Sequence, residues 1–461
     1  MRRRRGVAAA VALAALLGAG GCWPQVGHGP ENQRWNPGET GLTSANVATL
    51  SPAWSVDLGT LASEPIVWGG KVYVSSVESD HATVTAMDPA AGTVLWRHPI
   101  VAPYTAGPVG PSAPVVAGGN LVVTSQFHLV VGPGDPAGAA GASASAEAGP
   151  GPFCGAGPTL LDPATGEERP GEAFLPGAAA PGQLVPFGNR VAAVGTSYER
   201  YCVWADPTLW VWEASPTGGT LRWSAPVNDP WPPDHYYPYA GPAVAGDQLF
   251  LTEDYRLVAY DVDGCGAPTC EPAWAFDLPA GDTYVPPVVG GNLVFVSTVG
   301  FYPDTSQLFA VDRATGQLAW RAPVDTSGAD AVAYADGIVY VVDGAALRAF
   351  DAAGCGAPTC QPLWTAPLWT RPYAGSPNRI AVAGGVVYVG TSFLGRGFLR
   401  AFHASGCGAS SCGERWSTSV DGTPQAMSVA ASKLFVTVER GPAYTGAPNA
   451  VLAYAPTGSS P

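Results

Sequence analysis

The chain has 461 residues, of which 13% are charged and 10% aromatic, and it contains 59 glycines and 46 prolines. This composition indicates many short strands joined by turns, and it argues against a helical bundle or a disordered chain. The formal net charge is −14, with Lys71 and Lys433 as the only lysines. So acidic a surface repels phosphate backbones, and no nucleic-acid partner is expected.

The N-terminal residues 1–21 are predicted to be an export signal. Arg2–Arg5 precede the apolar stretch Val7–Leu17, and small residues then lead to Cys22. The apolar stretch is too short to span a bilayer comfortably. The pattern resembles a bacterial lipoprotein signal, which implies that Cys22 is lipidated and holds the protein on the outer face of the cell membrane. Ala19 stands where that signal most often has Leu, so cleavage and secretion of a free protein remain an alternative.

Export places the other eight cysteines in an oxidising compartment. Six of them form three Cys-x4-Cys units, which are Cys265 with Cys270, Cys355 with Cys360, and Cys407 with Cys412. We predict a disulfide within each unit, because a zinc site needs four converging ligands and a redox site typically uses Cys-x-x-Cys. Cys154 and Cys202 are left over, and a bond between them is a further hypothesis.

An internal repeat is clearest at Ala310–Trp320 and Ala86–Trp96. In both units an Asp precedes the Trp by eight residues. The same interval, counted from Asp or His, is thirteen residues before Trp274, Trp364 and Trp416, where the Cys-x4-Cys units occur. Each cysteine unit is therefore predicted to be a five-residue insertion in one particular hairpin.

Each repeat also has a first half, in which two β-branched runs are joined by a Gly-containing tight turn. One repeat is thus four strands, and a ring of stacked repeats buries both faces of every sheet. The fold class is predicted to be all-β, an eight-bladed β-propeller. Its outer-strand anchors are Trp54, Trp96, Phe174, Trp223, Trp274, Trp320, Trp364 and Trp416. The last hairpins lack such a strand, and the segment around Trp54 is predicted to supply it and close the ring.

The expected domain organisation follows from these boundaries. Residues 22–41 form an N-terminal tether and opening segment, 42–455 the propeller, and 456–461 a C-terminal tail. Within the propeller, the Gly/Ala/Ser-rich stretch 133–152 is predicted to be a disordered surface insertion.

The motif Ala-x-Asp-x-Ala-Thr-Gly-x-x-x-Trp at 310–320 resembles the tryptophan-docking repeat of the pyrroloquinoline-quinone (PQQ) propeller family. Asn32–Pro37 is similar to the opening segment of its alcohol dehydrogenases, and the family also has non-catalytic relatives that are bacterial lipoproteins. The resemblance implies a quinone stacked on two adjacent cysteines and a calcium ion bound by Glu, Asn and Asp. This sequence has no adjacent cysteines, and no motif places the calcium ligands. We predict no catalytic residue, no metal site and no cofactor, with PQQ and calcium only under the enzymatic alternative.

Aromatic residues concentrate in the loops expected on one face of the propeller. Aromatics with polar handles beside stiff prolines suit recognition of a peptide or glycan, although they can equally pack between the links. The candidate ligand residues are Trp231, His235, Tyr236, Tyr237, Tyr239 and Tyr373.

Asp88, Asp261, Asp312 and Asp351 recur in register, which favours a hairpin hydrogen bond over catalysis. The predicted function is an exported, monomeric, non-enzymatic scaffold that binds protein or polysaccharide at the cell surface. The alternative is a PQQ-dependent alcohol or sugar oxidoreductase with a degenerate site. A third hypothesis, a polysaccharide-cleaving propeller, requires two close carboxylates at the channel mouth.

Overall fold

The computed structural model is an all-β, eight-bladed β-propeller, as predicted. The structure describes residues 21–78, 81–100, 108–127, 159–169, 178–179, 183–199, 203–215, 218–228, 241–253, 255–278, 286–298, 306–324, 329–343, 346–368, 379–393, 396–441 and 448–458. No helix in these ranges is long and apolar enough to cross a membrane.

Blades are numbered 1 to 8 around the ring, with strands 1 to 4 running from the central channel outward. Blade 1 comprises Ile66–Trp68, Lys71–Glu78, His81–Met87 and Val94–Ile100. Blade 2 comprises Val115–Ala117, Asn120–Val123 and Thr159–Leu161, with Pro108–Pro111 and Ser125–Phe127 paired beside it. Blade 3 comprises Val185–Phe187, Arg190–Glu199, Val203–Ser215 and Gly218–Pro226, with Ala178–Ala179 also on its second strand. Blade 4 comprises Ala243–Ala245, Gln248–Glu253, Arg256–Asp261 and Trp274–Asp277.

The other half of the ring repeats this plan. Blade 5 comprises Val288–Gly290, Leu293–Thr298, Gln307–Asp312 and Leu318–Pro323. Blade 6 comprises Ala329–Ala335, Ile338–Asp343, Ala346–Asp351 and Trp364–Pro367. Blade 7 comprises Ile380–Ala383, Val386–Phe393, Arg396–His403 and Trp416–Asp421, and Trp35–Asn36 pairs in parallel with its first strand. Blade 8 comprises Thr423–Ala430, Lys433–Glu439, Ala450–Pro456 and, from the start of the chain, Leu50–Asp57.

Blade 8 closes the ring, and it is built from both ends of the chain. Its outer strand Leu50–Asp57 pairs antiparallel with Ala450–Pro456, as the sequence predicts. A short 3-10 turn, Val47–Thr49, leads into that strand. Closure in this way gives every blade a neighbour on both sides, so no blade face is left as an exposed end of the stack.

Two kinds of turn form one face of the ring, which we call the base. They are the Gly turns between strands 1 and 2 and the Asp turns between strands 3 and 4. In the Asp turn of blade 5, Asp312 Oδ1 accepts hydrogen bonds from the backbone N–H groups of Ala314 and Thr315 at 3.1 and 2.9 Å. The Thr315 hydroxyl also donates to it, and these bonds hold the pKa of Asp312 below its ordinary value. The recurrent aspartates are therefore turn residues, as predicted.

The tryptophans of the outer strands join neighbouring blades. Trp320 of blade 5 donates its indole N–H to the Ala352 carbonyl oxygen of blade 6 at 3.0 Å and is almost fully buried. A Cβ on Gly354 of that turn would lie 2.6 Å from the indole, so only glycine permits this approach. The same indole-on-glycine contact occurs at Trp54–Gly92, Trp96–Gly166, Trp223–Gly264, Trp274–Gly316, Trp320–Gly354 and Trp364–Gly406. In blade 7, Trp416 donates instead to the Leu50 carbonyl oxygen at 2.9 Å.

The three cysteine units are disulfide-bonded hairpins, as predicted, with Cα–Cα distances of 5.6 Å. Their positions reveal a role that the sequence did not: each one reaches back to the preceding blade. The Cys360 N–H donates to the Arg321 carbonyl oxygen at 2.8 Å, and the Arg321 N–H donates to Pro358 at 3.0 Å. The equivalent parallel bridges are Ser224 with Thr269, Arg321 with Thr359, and Thr365 with Ser411. Each stapled hairpin thus clamps the residue that follows a docking tryptophan.

Two glycines of one stapled hairpin allow the energetic contribution of tryptophan docking to be measured apart from that of backbone strain. Gly354 and Gly356 both have positive φ, at 90° and 77°, but nothing lies within 4 Å of a Cβ on Gly356. We expect Gly354→Ala to lower the free energy of unfolding by about 3 kcal/mol, because the methyl group displaces Trp320. Gly356→Ala should lose only about 1 kcal/mol, the cost of the left-handed backbone. Chemical denaturation measures both, and equal losses would contradict the docking role of Gly354.

Removal of one staple tests the clamp. Cys355→Ser/Cys360→Ser is expected to lower the free energy of unfolding by about 2 kcal/mol. Without the disulfide the unfolded chain gains conformational entropy, because its small loop is no longer closed. Amide hydrogen exchange at Arg321 and at residue 360 should become faster, while exchange at Thr365 and Cys412, which belong to the next clamp, serves as the internal control. Unchanged exchange at Arg321 would show that the hairpin does not need its disulfide to hold the neighbouring blade.

Candidate functional site

Residues 21–36, which we call the channel segment, run along the inner strands of the ring. Its backbone carbonyl oxygens accept hydrogen bonds from the first strands of five blades, and the Asn36 side chain donates to a sixth. These contacts are Val67 N–H to Trp23 at 2.8 Å, Val244 to Pro30 at 2.7 Å, Val289 to Glu31 at 2.9 Å, Tyr334 to Gln33 at 3.0 Å, Val382 to Arg34 at 2.8 Å, and Asn36 Nδ2 to Val429 O at 2.9 Å. Blades 1, 4, 5, 6, 7 and 8 are thereby stitched to one peptide at the base of the channel.

The channel segment is held in an uncommon backbone conformation. His28, Asn32 and Arg34 have φ of 73°, 56° and 54°, in the left-handed region that side chains other than glycine seldom adopt. Such conformations persist only where surrounding contacts impose them. The hydrogen bonds to the inner strands supply those contacts. The backbone conformation of this segment is therefore imposed by the ring and not by local propensity.

A buried ion pair joins the channel segment to the start of blade 1. Glu64 precedes the first strand of blade 1 and is 2% exposed, and Arg34 is 1% exposed. Arg34 Nη1 lies 3.8 Å from Glu64 Oε2, while Glu64 Oε1 accepts hydrogen bonds from Trp23 Nε1 at 2.8 Å and the Gly27 N–H at 3.1 Å. Burial raises the pKa of Glu64 to about 7, and the nearby guanidinium opposes that rise. Glu64 thus holds Trp23, Gly27 and Arg34 of the channel segment against the start of blade 1.

Cys22 lies where the channel segment reaches the base. The Gly21 carbonyl oxygen accepts from the Ala431 N–H at 3.0 Å, and the Cys22 carbonyl oxygen accepts from Asn36 Nδ2 at 3.0 Å. The thiol is half-buried and unbonded to another cysteine, and burial raises its pKa. Glu39 completes this corner, since its Oε1 accepts from the N–H groups of Gly41 and Leu42 and its Oε2 from that of Ser432.

Polar groups also mark the ends of the second strands, on the face opposite the base. Glu253 is 4% exposed and pairs with Arg256 at 3.0 Å. Asp343 is fully buried and pairs with Arg348 Nε at 2.6 Å. Nearer the base, Arg400 of the third strand of blade 7 contacts Glu414 at 3.1 Å. Each of these buried charges has an opposite charge beside it, as buried charges require.

Comparison with known proteins identifies the family. A family model described as glucose/ethanol/alcohol dehydrogenase, beta-propeller domain, matches residues 23–107. A second model, described as outer membrane protein assembly factor BamB, matches residues 262–458. The chain is a PQQ-like β-propeller. The resemblance noted in the repeat motif is therefore confirmed.

Solved structures similar to this PQQ-like propeller include quinoprotein dehydrogenases. A quinohemoprotein alcohol dehydrogenase from Comamonas testosteroni is 14% identical, with a TM-score of 0.63 over 97% of this chain and 82% of that one. The quinohemoprotein alcohol dehydrogenase ADHIIG from Pseudomonas putida HK5 is 15% identical, with a TM-score of 0.62 and the same coverage. A europium-containing methanol dehydrogenase is 14% identical, with a TM-score of 0.57 over 96% and 99% of the two chains. At these identities the likeness shows the fold alone. A search of curated proteins finds no matching sequence.

The donor groups that the structure describes in this PQQ-like propeller do not fit a calcium–quinone site. Among the described residues, no group of three or more His, Cys, Asp and Glu side chains is placed to hold a metal ion. The buried carboxylates Glu253 and Asp343 each face an arginine. The sequence also lacks the adjacent cysteines on which the family's quinone stacks.

Several predicted site residues lie outside the described residues, and the predictions on them stand untested. They are Trp231, His235, Tyr236, Tyr237, Tyr239, Tyr373, Cys154, Cys202, Phe174 and the insertion 133–152. Of the sequence-predicted groups, the structure brings together the three cysteine pairs, the docking tryptophans with their glycines, and the aspartate turns.

Sequence reasoning missed two features. Asp162–Gly166 repeats the Asp-x-Ala-Thr-Gly pattern, and its Gly166 lies against Trp96. That signal was present and marks the Asp turn of blade 2. The pairing of Arg34 with Glu64 left no such signal, because the two residues are brought together only by closure of the ring.

The buried ion pair should impose a measurable pH dependence. The folded pKa of Glu64 is raised above its ordinary 4.5, so the native state holds more protons than the unfolded state between those values, and this contribution to stability falls as pH rises. In Arg34→Met the opposing guanidinium is gone and the pKa of Glu64 rises further. We expect its stability deficit against the natural protein to grow above about pH 7, by up to about 1.4 kcal/mol per pH unit.

Thermal and chemical unfolding between about pH 5.5 and 8.5 measures this deficit. The control is Arg34→Met/Glu64→Gln, in which residue 64 does not titrate. Its deficit should stay constant above about pH 7, where Glu64 of the natural protein is already ionised. A deficit of the single variant that stays constant over the range would contradict the coupling.

Proposed function

We propose that this PQQ-like propeller is an exported, lipid-anchored, non-enzymatic scaffold that binds protein or polysaccharide through the face opposite the base. The observation that carries the proposal is that the buried charged groups are engaged in ion pairs. Arg34 with Glu64 secures the channel segment, and Glu253 and Asp343 are each paired with arginine. These charged groups are paired within the fold, and a catalytic acid or base needs a reactant within reach.

The family matches support a scaffold at the membrane. The model named for an outer membrane protein assembly factor covers more than twice as many residues as the dehydrogenase model. The anchor is argued from Arg2–Arg5, the apolar stretch after them, and Cys22. Three disulfides in one chain accord with export to an oxidising compartment.

The binding face is argued from the placement of aromatic residues along the sequence. Strands 2 and 4 of each blade end opposite the base, and the candidate ligand residues belong to segments that connect such ends. Trp231, for example, follows the outer strand of blade 3, and Tyr373 follows that of blade 6. Tyrosine and tryptophan dominate the energetics of recognition surfaces because they bury large areas and keep a polar group for hydrogen bonding.

The alternative is a PQQ-dependent oxidoreductase. The dehydrogenase model matches residues 23–107, which include the channel segment, and the similar structures named above are quinoprotein dehydrogenases. Loaded with PQQ and calcium, such a protein would reduce an artificial electron acceptor with an alcohol or sugar as donor.

One experiment separates the two functions. The mature protein is incubated with PQQ and calcium, and dye reduction is followed with a panel of alcohols and sugars. We expect no PQQ retained after gel filtration and no reduction above the rate of protein without PQQ. Retained PQQ with donor-dependent reduction would overturn the scaffold in favour of the oxidoreductase.

The binding face is tested with alanines at Trp231, Tyr236, Tyr237 and Tyr239. Partners are captured from crosslinked membranes, and direct binding of each purified partner is then measured by calorimetry. The variant should bind at least about tenfold more weakly, because each buried aromatic contact is worth roughly 1 kcal/mol or more. The control has serines at Leu221 and Leu318, exposed side chains of outer strands near the base. Equal affinities for both variants would reject this face as the binding site.

A further inference from the structure

We propose that the base of the propeller lies directly against the membrane, so that the opposite face points away from it. This inference rests on the proposed lipidation of Cys22. It adds an orientation, and with it a membrane-facing surface, that lipidation alone does not imply, because an anchor on a long flexible tether would leave the ring free to tumble.

The first step is that the anchor has no tether. Trp23, the residue after Cys22, is fully buried. Its backbone exchanges two hydrogen bonds with Val67 of blade 1, at 2.7 and 2.8 Å. Because one extended residue spans only about 3.5 Å, a lipid on the Cys22 sulfur is held within a few ångströms of the ring itself.

The second step is where that sulfur lies. The thiol contacts the backbone at Gly69, in the Gly turn of blade 1. The Cys22 carbonyl oxygen accepts from Asn36 Nδ2, which also donates to Val429, beside the turn Ala431–Ser432 of blade 8. Both turns belong to the base. Acyl chains on a half-exposed sulfur at this place leave the molecule through the base and bring that face down onto the lipid surface.

The third step is the charge around the anchor. The two lysines of the chain, Lys71 and Lys433, directly follow these two turns. Each lysine near an anionic lipid surface contributes about 1 kcal/mol of attraction. The Asp turns place carboxylates elsewhere on the base, so the attraction from the two lysines is confined to the region around the anchor. The lipid and not the charge is therefore expected to hold the protein on the membrane.

The fourth step is the distribution of exposed apolar side chains. Five of the eight large hydrophobic residues that are exposed within the described ranges lie at the start of outer strands, beside the base. They are Val94, Leu95, Leu221, Leu318 and Leu363, with exposures of 38 to 52%. Single exposed leucines are ordinary, but their placement on one face, in blades 1, 3, 5 and 6, provides apolar contacts for a headgroup region.

The consequence deepens the proposed function. A base that faces the membrane turns the opposite face toward the surroundings, where a protein or polysaccharide can reach it. The aromatic-rich segments are assigned to that face from the sequence. The channel segment and the stapled hairpins then lie on the membrane side or around the ring, and they are not expected to contact the partner.

The orientation is tested with the lipidated protein in vesicles of phosphatidylcholine and phosphatidylglycerol. A fluorophore is attached through an unnatural amino acid at Asn292, in an exposed Gly turn of the base, or at Phe393, exposed at the opposite end of a second strand. The acceptor is a dye on the lipid headgroups. We expect energy transfer from position 292 to exceed that from 393 by at least about threefold, since a six-residue strand alone separates the two ends by roughly 20 Å.

Two controls make the outcomes distinct. Insertion of a flexible Gly-Ser linker of about 20 residues between Cys22 and Trp23 keeps the anchor but frees the ring, and the ratio of the two signals should fall toward one. Equal energy transfer in the lipidated protein without the linker would overturn the orientation and leave the anchor intact. If Cys22→Ala has the same membrane recovery and the same lipid-free mass as the natural protein, there is no anchor, and both proposals fail.

Discussion

The structure depends on a single contact that recurs around the ring: an indole lying on a glycine of the next blade. Truncation of such a tryptophan to alanine typically costs about 3–5 kcal/mol, so each of the six junctions at which the structure describes this contact contributes a substantial fraction of a domain's net stability. The contact needs a large flat side chain on one blade and no side chain on the other. It therefore explains the periodic tryptophans and the glycines of the Asp turns together.

Two further devices reinforce this ring from outside and inside. On the outside, stapled hairpins bridge from blades 4, 6 and 7 to the outer strands before them. On the inside, the channel segment is bonded to the inner strands of six blades. Among the residues that the structure describes around this segment, Arg34 and Glu64 form a fully buried ion pair that ties the segment to blade 1. A propeller fold does not by itself determine function, which depends on the groups that a particular ring presents.

Much of the fold followed from the sequence because its determinants are local. The Asp-to-Trp interval, the Gly turns and the cysteine spacing each act within a few residues, and they predicted the blades, the staples and the closing strand of blade 8. The partners of those features were not predictable. Nothing in the cysteine spacing indicated that Cys360 would bond to Arg321 of the preceding blade, and nothing near Arg34 indicated Glu64.

The sequence by itself determined that this chain is a closed ring of repeated sheets, because strand periodicity and turn chemistry are encoded residue by residue. It also determined the anchors between blades, since tryptophan and glycine recur at fixed intervals. Only the tertiary structure decided what the first residues after Cys22 do. Their backbone groups bond to inner strands of five blades, and the Asn36 side chain bonds to a sixth. These strands are far apart in sequence, and such contacts exist only once the ring has closed.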